Sequence, residues 1–200
     1  MLIKVCGLKN KAQIETLDKM NEIDFLGFIF YERSKRHVNK IGGTISKSKK
    51  VGVFVNEKID QIGKIALECE LDILQLHGNE TPEMCSKLKS QYTIIKAFGM
   101  DDSFDFKELY EYQTVVDYFL FDTKTSNYGG SGKLFDWSML EQYTLNIPFL
   151  LSGGLNPHSL EAIRNIKHPA FAGIDINSGF ENAPADKNID LIQQFVTQLK

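Results

Sequence analysis

The sequence is poor in the features that mark membrane, disulfide-rich or nucleic-acid-binding proteins. No stretch approaches the roughly 20 consecutive apolar residues of a membrane-spanning helix. The three cysteines are Cys6, Cys69 and Cys85, an odd number without a Cys-x-x-Cys pair, so neither a disulfide framework nor a structural zinc site is indicated. The net charge of −3 gives no general attraction for nucleic acid or for anionic membranes.

The start of the chain and its use of cysteine favour a reducing compartment. The sequence opens on a short strand-like run and shows no long apolar segment of the signal-peptide kind. We therefore expect a cytoplasmic protein. With 200 residues, 42% of them hydrophobic, the chain can build one sizeable core, and no linker or charge block divides it. A single domain over residues 1–200 is predicted.

Eight short apolar runs recur along the chain with helix signals between them. They are Leu2–Cys6, Phe25–Phe30, Lys50–Val55, Ile73–Leu76, Thr93–Ala97, Tyr118–Asp122, Pro148–Leu151 and Phe171–Ile176. Runs that are nearly continuous in apolar character are typical of buried parallel strands. Between them, Asn10 can cap a helix with Gln13 in the capping-box position, and Thr81 precedes a proline at a helix start.

This alternation predicts an α/β protein with the (β/α)8 TIM-barrel fold. A doubly wound open sheet is the alternative, but that fold usually has fewer strands and needs a switch point. Because 200 residues is at the small end of the barrel range, we expect some short helices, notably in the regions Gly42–Ser48 and Asp101–Tyr112.

The ends of the apolar runs carry candidate catalytic groups, because a barrel brings these ends together at its active face. Cys6 ends the first run before Gly7. Its thiol can be a nucleophile, a metal ligand, a base that removes a proton from carbon, or simply a small buried side chain. Asp122 follows four apolar residues, where a carboxylate is costly unless it is paired or used. A helix cap or a salt-bridge partner is the alternative for Asp122.

Glycine and serine follow the seventh and eighth runs. The segments are Ser152-Gly153-Gly154 and Asn177-Ser178-Gly179. Glycine lets backbone N–H groups approach an anion, and these two loops form the usual phosphate site of a TIM barrel. Ordinary tight turns are the alternative, but two such loops in one barrel favour a phosphate.

Two further side chains are candidates for substrate contact. Arg36 lies in a basic cluster that is either a solvated loop or, at a barrel mouth, a grip for a carboxylate. His77 follows the fourth run and is either an acid–base group or a satisfied rim histidine. Because no second histidine or carboxylate stands at ligand spacing from it, no metal site is predicted.

Motifs along the whole chain resemble those of the phosphoribosylanthranilate isomerase family. In the first half they are Lys4-Val5-Cys6-Gly7, Gly27-Phe28-Ile29-Phe30, Ser34-Lys35-Arg36, Val51-Gly52-Val53-Phe54-Val55 and Leu74-Gln75-Leu76-His77-Gly78. In the second half they are Phe121-Asp122-Thr123-Lys124, Gly129-Gly130-Ser131-Gly132, Phe135-Asp136-Trp137, Leu151-Ser152-Gly153-Gly154-Leu155 and Asp175-Ile176-Asn177-Ser178-Gly179. Each motif is weak alone, but in this order and spacing they are specific.

The resemblance implies an enzyme of tryptophan biosynthesis that needs no cofactor and no metal. Its reaction is the Amadori rearrangement of N-(5-phosphoribosyl)anthranilate to 1-(2-carboxyphenylamino)-1-deoxyribulose 5-phosphate. Cys6 would be the general base, Asp122 the general acid, and Arg36 the group that holds the anthranilate carboxylate. The remaining substrate contacts would come from Asp175, His77, Gly130 and Ser131, and the phosphate contacts from Gly153, Gly154, Asn177, Ser178 and Gly179. The partner is a small molecule, and both a monomer and a homodimer are compatible with the sequence.

The residue types suit this chemistry. Ring opening needs a proton on the ring oxygen, so Asp122 must be protonated in the working complex. Strand alternation puts Lys4 on the same side as Cys6, about 7 Å along the strand, where a cation can help to hold the thiolate. Lys4 can instead be a core lysine that pairs with a carboxylate.

One departure from the family lies near the end of the chain, and three other functions compete with the isomerase. The family often has a glycine where this chain has Ala185, after Pro184, so the final loop is the part that the resemblance predicts least. A related aminoaldose isomerase of histidine synthesis would more naturally use two aspartates. A nucleophilic-cysteine hydrolase would need an orienting partner beside the thiol, and a phosphate-binding module without catalysis would need neither Cys6 nor Asp122.

Overall fold

The computed structural model describes residues 1–123 and 136–200. Eight parallel strands pair in chain order, and the eighth pairs with the first to close a barrel. The strands are Leu2–Val5 (β1), Phe25–Ile29 (β2), Lys49–Phe54 (β3), Ile73–Leu76 (β4), Thr93–Met100 (β5), Tyr118–Thr123 (β6), Phe149–Leu151 (β7) and Phe171–Ile176 (β8). Each predicted apolar run is therefore a strand, and the prediction of a TIM barrel is confirmed.

Helices of several lengths connect the strands within the described ranges. The α-helices are Lys11–Asp18 (α1), Ile59–Glu68 (α2), Pro82–Lys89 (α3), Leu160–Arg164 (α4) and Ile189–Leu199 (α5). The 3₁₀ helices are Phe106–Tyr112, Trp137–Gln142, Pro157–Ser159 and Ser178–Phe180. Two short antiparallel strands, Glu181–Ala183 (β9) and Asp186–Lys187 (β10), form a hairpin between β8 and α5. None of the helices in the described part of the chain has both the length and the apolar character needed to cross a bilayer.

The two regions expected to hold short helices differ in outcome. The expectation is confirmed in Asp101–Tyr112, which contains the 3₁₀ helix Phe106–Tyr112. It is wrong for Gly42–Ser48, which has no helix. There the carboxylate of Asp18 accepts three backbone N–H bonds from residues 46–48, at 2.8–3.2 Å. Because Asp18 satisfies these donors, the segment needs no helical hydrogen bonds.

Two apolar clusters support the barrel. The larger one fills the space between the strands and the surrounding helices. The smaller one fills the lower barrel and consists of Phe25, Val51, Ile73, Ile95, Ala97, Leu120 and Leu150. Two residues further along three of the strands, the inward positions become polar at Lys4, Gln75 and Asp122. The barrel is therefore closed below by apolar packing and carries its polar groups toward the carboxyl ends of the strands.

The first helix is tied to the hairpin at the end of the barrel. Asn10 caps α1 as predicted, accepting from the backbone N–H of Gln13. The Gln13 side chain, however, does not complete a capping box. Its amide nitrogen donates to Asp186 Oδ1 at 2.7 Å and to the carbonyl oxygen of Lys187 at 3.0 Å, and its oxygen accepts from the Lys187 N–H at 3.0 Å. The hairpin is thereby fixed to α1.

Candidate active site

Cys6 lies directly after β1 and is 4% exposed. Lys4, two residues earlier, faces the same side, as predicted, since both side chains border the space above Gly27 in β2. A methyl group on Gly27 would lie 2.8 Å from Cys6 Sγ and 3.1 Å from Lys4 Cε, so glycine in β2 leaves room for both side chains. The thiol is therefore packed against a lysine inside the barrel mouth.

Lys4 is also paired with a carboxylate. Its Nζ lies 2.7 Å from Asp175 Oδ2, and both side chains are buried. The pairing of β1 with β8 sets this contact, since Lys4 stands opposite Asp175 in the register. Burial alone would lower the pKa of Lys4, but Asp175 and Cys6 raise it above its ordinary value. The ammonium thus stays charged between the carboxylate and the sulfur.

Burial raises the pKa of the Cys6 thiol above its ordinary value. The Lys4 ammonium opposes this effect, and Asp175 adds to it. The prediction that a cation stands beside the sulfur is therefore correct, but in the unliganded protein burial outweighs the cation. Cys6 is protonated at neutral pH in this state, and its thiolate forms at the cost of moving a proton elsewhere.

Asp122 and His77 form a pair at the ends of β6 and β4. His77 Nε2 lies 3.2 Å from Asp122 Oδ2, and each side chain is about a third exposed, at 30% and 28%. Behind the ring, Gln75 Nε2 lies 2.8 Å from His77 Nδ1. Since the amide nitrogen donates, Nδ1 is the acceptor and the ring carries its proton on Nε2, directed at Asp122. His77 therefore has a partner at each ring nitrogen and is held against Asp122.

Asp175 connects the two groups. Its carboxylate interacts electrostatically with Cys6 and Lys4 and also with Asp122 and His77. Asp175 Oδ1 is buried and has no hydrogen-bond partner among the residues that the structure describes. A buried carboxylate oxygen without a donor is costly, so this atom is suited to accept from a ligand hydroxyl.

The seventh and eighth loops pack against each other above the barrel. Gly153 and Gly154 follow β7 with φ of 79° and 69°, a left-handed conformation that glycine adopts without strain. A methyl group on Gly153 would lie 2.4 Å from Asp122 Oδ1, and one on Gly179 would lie 2.1 Å from the carbonyl oxygen of Leu155. Glycine thus allows the seventh loop to approach Asp122 and the eighth loop to approach the seventh.

Arg36 leaves the basic cluster and turns inward. Its side chain is 17% exposed and pairs with Glu181, which is 3% exposed, whereas Arg33 and Lys35 are exposed. Nε donates to Glu181 Oε1 at 2.9 Å, and Nη2 donates to Oε2. These bonds raise the pKa of the Arg36 guanidinium. The Nε side of the Arg36 guanidinium is therefore occupied by a carboxylate of the protein itself, and nothing in the sequence indicated this partner.

Three residues of this region had no role predicted from the sequence. Gln75 carried a signal, because it is a lone polar residue between Leu74 and Leu76 and lies two positions before His77. Glu181 and Lys187 carried none, since their burial depends on the hairpin that follows β8. Gly130 and Ser131, predicted to contact substrate, lie outside the described residues. Within residues 1–123 and 136–200, no three His, Cys, Asp or Glu side chains come together as a metal site.

The fold and the titratable groups at its mouth define the class: a (β/α)8-barrel protein equipped for proton transfer. Residues 3–198 match the family model described as N-(5'phosphoribosyl)anthranilate (PRA) isomerase. The chain belongs to this family, as the sequence motifs predicted, and it is an isomerase.

Individual relatives agree over the whole length. The N-(5'-phosphoribosyl)anthranilate isomerase of Parabacteroides distasonis is 50% identical, with 100% of this chain and 93% of the relative covered. Two solved structures, each 29% identical with a TM-score of 0.81, cover 100% of this chain and 98% of theirs. One holds monomers generated from the dimeric Thermotoga maritima enzyme. The other is a phosphoribosyl anthranilate isomerase in complex with reduced 1-(o-carboxyphenylamino)-1-deoxyribulose 5-phosphate.

Proposed function

We propose that Cys6 is the general base and Asp122 the general acid of the isomerase reaction. That reaction converts N-(5-phosphoribosyl)anthranilate to 1-(2-carboxyphenylamino)-1-deoxyribulose 5-phosphate in tryptophan biosynthesis. One observation carries the assignment of roles: the buried carboxylate of Asp175 bonds to Lys4, which packs beside the Cys6 thiol, and it also interacts electrostatically with Asp122. A sugar bound over Asp175 would therefore lie close to both proton-transfer groups.

The chemistry needs these two groups in sequence. Asp122 gives a proton to the ring oxygen while the bond from that oxygen to C1 breaks and the nitrogen lone pair forms an iminium ion. The iminium acidifies the hydrogen on C2, and the Cys6 thiolate removes it. The electron pair of that C–H bond forms the C1=C2 bond of an enolamine and neutralises the nitrogen. Tautomerisation moves a proton to C1 and takes one from the C2 hydroxyl, which gives the ketone.

The thiol of Cys6 must ionise before the reaction can proceed. The reaction starts from a thiolate and a protonated carboxyl, whereas burial favours the thiol in the unliganded protein. The proton of the Cys6 thiol must therefore leave before the hydrogen on C2 can be removed. Lys4 favours this step, because its ammonium lowers the pKa of the Cys6 thiol, which burial raises.

The remaining predicted residues are assigned to substrate binding. Arg36 would bind the anthranilate carboxylate, and Oδ1 of Asp175 would accept a sugar hydroxyl. The phosphate would bind to backbone N–H groups of the two contacting loops, which contain Gly153, Gly154, Asn177, Ser178 and Gly179. Contacts from Gly130 and Ser131 stay predictions. The left-handed glycines of the seventh loop support the phosphate assignment, because they permit close approach of an anion to the backbone.

Substitution of each proton-transfer group tests the proposal. We expect Cys6→Ala and Asp122→Asn each to lower kcat by about 10²- to 10⁴-fold in a fluorescence assay that follows loss of the substrate. Cys85→Ala is the matched control, because Cys85 is a buried cysteine on α3 whose electrostatic neighbours are Lys96 and Glu80 and not Asp175. Circular dichroism shows whether each variant is folded. Near-normal turnover in folded Cys6→Ala or Asp122→Asn would refute the assignment of that residue.

The oligomeric state of the protein needs a separate test. A solved relative is dimeric, and both a monomer and a homodimer are compatible with this chain. Size-exclusion chromatography with light scattering distinguishes the two.

A cytoplasmic location is in keeping with free cysteines and a biosynthetic reaction, and cell fractionation tests it.

A further inference from the structure

The last hairpin of the barrel carries two buried charged residues, Glu181 and Lys187, to which the proposed function assigns no role. Glu181 opens the hairpin, and its carboxylate accepts from Arg36, from the Ala185 N–H at 3.0 Å and from Lys187 Nζ at 2.7 Å. The side chains of Glu181 and Lys187 are 3% and 0% exposed. Buried charges of this kind are costly unless geometry and hydrogen bonds compensate them, so the cluster has a defined arrangement rather than an adaptable one.

The bonds to Glu181 leave one end of the Arg36 guanidinium available. Glu181 occupies the Nε hydrogen and one hydrogen of Nη2. A guanidinium has five N–H donors in a planar fork. Both Nη1 hydrogens and the outer Nη2 hydrogen have no partner among the described residues. The Nη1–Nη2 end is itself a fork that fits a second carboxylate.

Lys187 links this pair to the eighth loop. Its Nζ donates to Glu181 Oε1 and to Asn177 Oδ1, at 2.7 and 2.8 Å. Gly7 lies between the two sides, since a methyl group there would come 2.5 Å from Arg36 Cδ and 2.8 Å from Asn177 Oδ1. The ammonium therefore fixes the Arg36 pair and the proposed phosphate loop relative to each other, directly beside the residue that follows Cys6.

We propose that Glu181 and Lys187 are positioning residues that hold Arg36 with its Nη1–Nη2 end directed at the carboxylate of the substrate. The inference rests on the proposed role of Arg36 in binding that carboxylate. Glu181 fixes the plane of the guanidinium through two parallel bonds. Lys187 keeps Glu181 charged and in place, and with Arg36 it lowers the pKa of Glu181, although burial opposes this.

A simpler role for Glu181 predicts the opposite effect. If Glu181 only competed with the substrate for Arg36, its neutralisation would release the guanidinium and tighten binding of the carboxylate. If Glu181 positions Arg36, neutralisation loosens the fork and weakens that binding. The sign of the change therefore separates positioning from competition.

The test measures how much the carboxylate contributes to binding. Two inhibitors are compared: reduced 1-(2-carboxyphenylamino)-1-deoxyribulose 5-phosphate and the same compound with an unsubstituted phenyl ring. We expect the carboxylate to improve the inhibition constant of the natural protein by about 10- to 100-fold, as bonds between ionised groups do. Arg36→Met should abolish most of this ratio. Glu181→Gln and Lys187→Met should each reduce it at least threefold, with a smaller change for the inhibitor that lacks the carboxylate.

Conservative variants and a surface control distinguish positioning from general damage. Glu181→Asp keeps the negative charge but moves it away from Arg36, because the side chain is one methylene shorter. It should therefore also reduce the ratio, and it replaces Glu181→Gln in the test if that variant does not fold. Lys187→Arg should retain more of the ratio than Lys187→Met. Glu161→Gln, which breaks an exposed ion pair with Arg164, should leave the ratio unchanged.

The outcomes test the role of Arg36 and the positioning inference separately. An unchanged ratio in Arg36→Met would remove the proposed role of Arg36, and the positioning inference with it. A ratio that collapses in Arg36→Met but is unchanged or increased in the folded Glu181 and Lys187 variants would overturn the positioning inference alone.

Discussion

Replacement of Lys4 by methionine tests how the protein stabilises the Cys6 thiolate. The ammonium of Lys4 is fully buried between Asp175 and Cys6. Methionine is one atom shorter than lysine but keeps its unbranched shape and much of its volume. The substitution therefore removes the positive charge that lowers the pKa of Cys6. It also removes the partner of Asp175, whose pKa burial already raises. Since the ammonium is the group that stabilises the thiolate, we expect the thiol to become harder to ionise.

The size of the effect follows from the packing around Gly27. A methyl group on Gly27 would lie 2.8 Å from Cys6 Sγ and 3.1 Å from Lys4 Cε, the carbon that carries the ammonium. For an assumed charge separation of about 6 Å, two unit charges attract each other by about 3 kcal/mol at an effective dielectric constant of about 20. Since about 1.4 kcal/mol corresponds to a factor of ten, the thiolate fraction at a fixed pH should fall by about 100-fold.

The thiolate is measured by its ultraviolet absorbance and by the pH dependence of alkylation with iodoacetamide, in a Cys69→Ser, Cys85→Ala background that leaves Cys6 as the only thiol. The matched control is Lys96→Met, which removes another buried lysine, one that pairs with Glu80 on the other side of the barrel. It should destabilise the protein without changing the ionisation of Cys6. An unchanged or more easily ionised thiol in folded Lys4→Met would refute the electrostatic role of Lys4.

Three further predictions concern stability and the Asp122 pair. Ala185→Gly should stabilise the protein by about 0.5–1 kcal/mol in urea unfolding, because Ala185 has a left-handed φ of 68° that costs an L-residue about 1–2 kcal/mol; a loss of stability would contradict this. Asp18→Asn should cost about 1–2 kcal/mol at pH 7. Backbone bonds lower the pKa of Asp18 despite its burial, so this stabilisation exists above the unfolded pKa of about 3.9 and disappears as the pH falls through the folded pKa; a difference that persists in acid would count against it. Gln75→Leu should lower kcat about 5- to 10-fold with little change in KM, because His77 loses the bond that fixes its tautomer, and a rise in KM alone would exclude this role.

The number and order of the strands could be predicted because each strand is a buried apolar run. The ends were less predictable, since pairing rather than composition decides them. Thr93 begins β5 as predicted, but the strand continues three residues past Ala97 to Met100. Its register with β6 runs on to the pair of Met100 and Thr123. A glycine in this extension gave no strand signal of its own, so only the neighbouring strand determines where β5 ends.

The candidate site likewise contains residues that could be predicted from the sequence and contacts that could not. Cys6, Asp122 and His77 could be found because strand ends meet on one face of a barrel whatever the register. The His77–Asp122 contact joins β4 and β6, which are not neighbours in the sheet. It depends on the side-chain lengths and on the curvature of the barrel, neither of which is encoded in a local pattern. The burial of Glu181 likewise depends on a hairpin whose two strands gave no periodic signal.

The Lys4–Asp175 pair shows where prediction from sequence reaches its limit. The two residues are 171 positions apart, yet closure of an eight-stranded barrel requires β1 and β8 to be neighbours. From the sequence Lys4 could be a partner of the thiolate or a core lysine paired with a carboxylate, and without the strand register neither role could be chosen over the other. A shift of one residue would turn Asp175 toward the helices and leave a buried ammonium beside the thiol with no counter-ion. In the observed register the Lys4 ammonium pairs with Asp175 and also lies beside the thiol. Asp175 contacts Lys4 through Oδ2, and its Oδ1, which has no partner among the described residues, is open to a ligand.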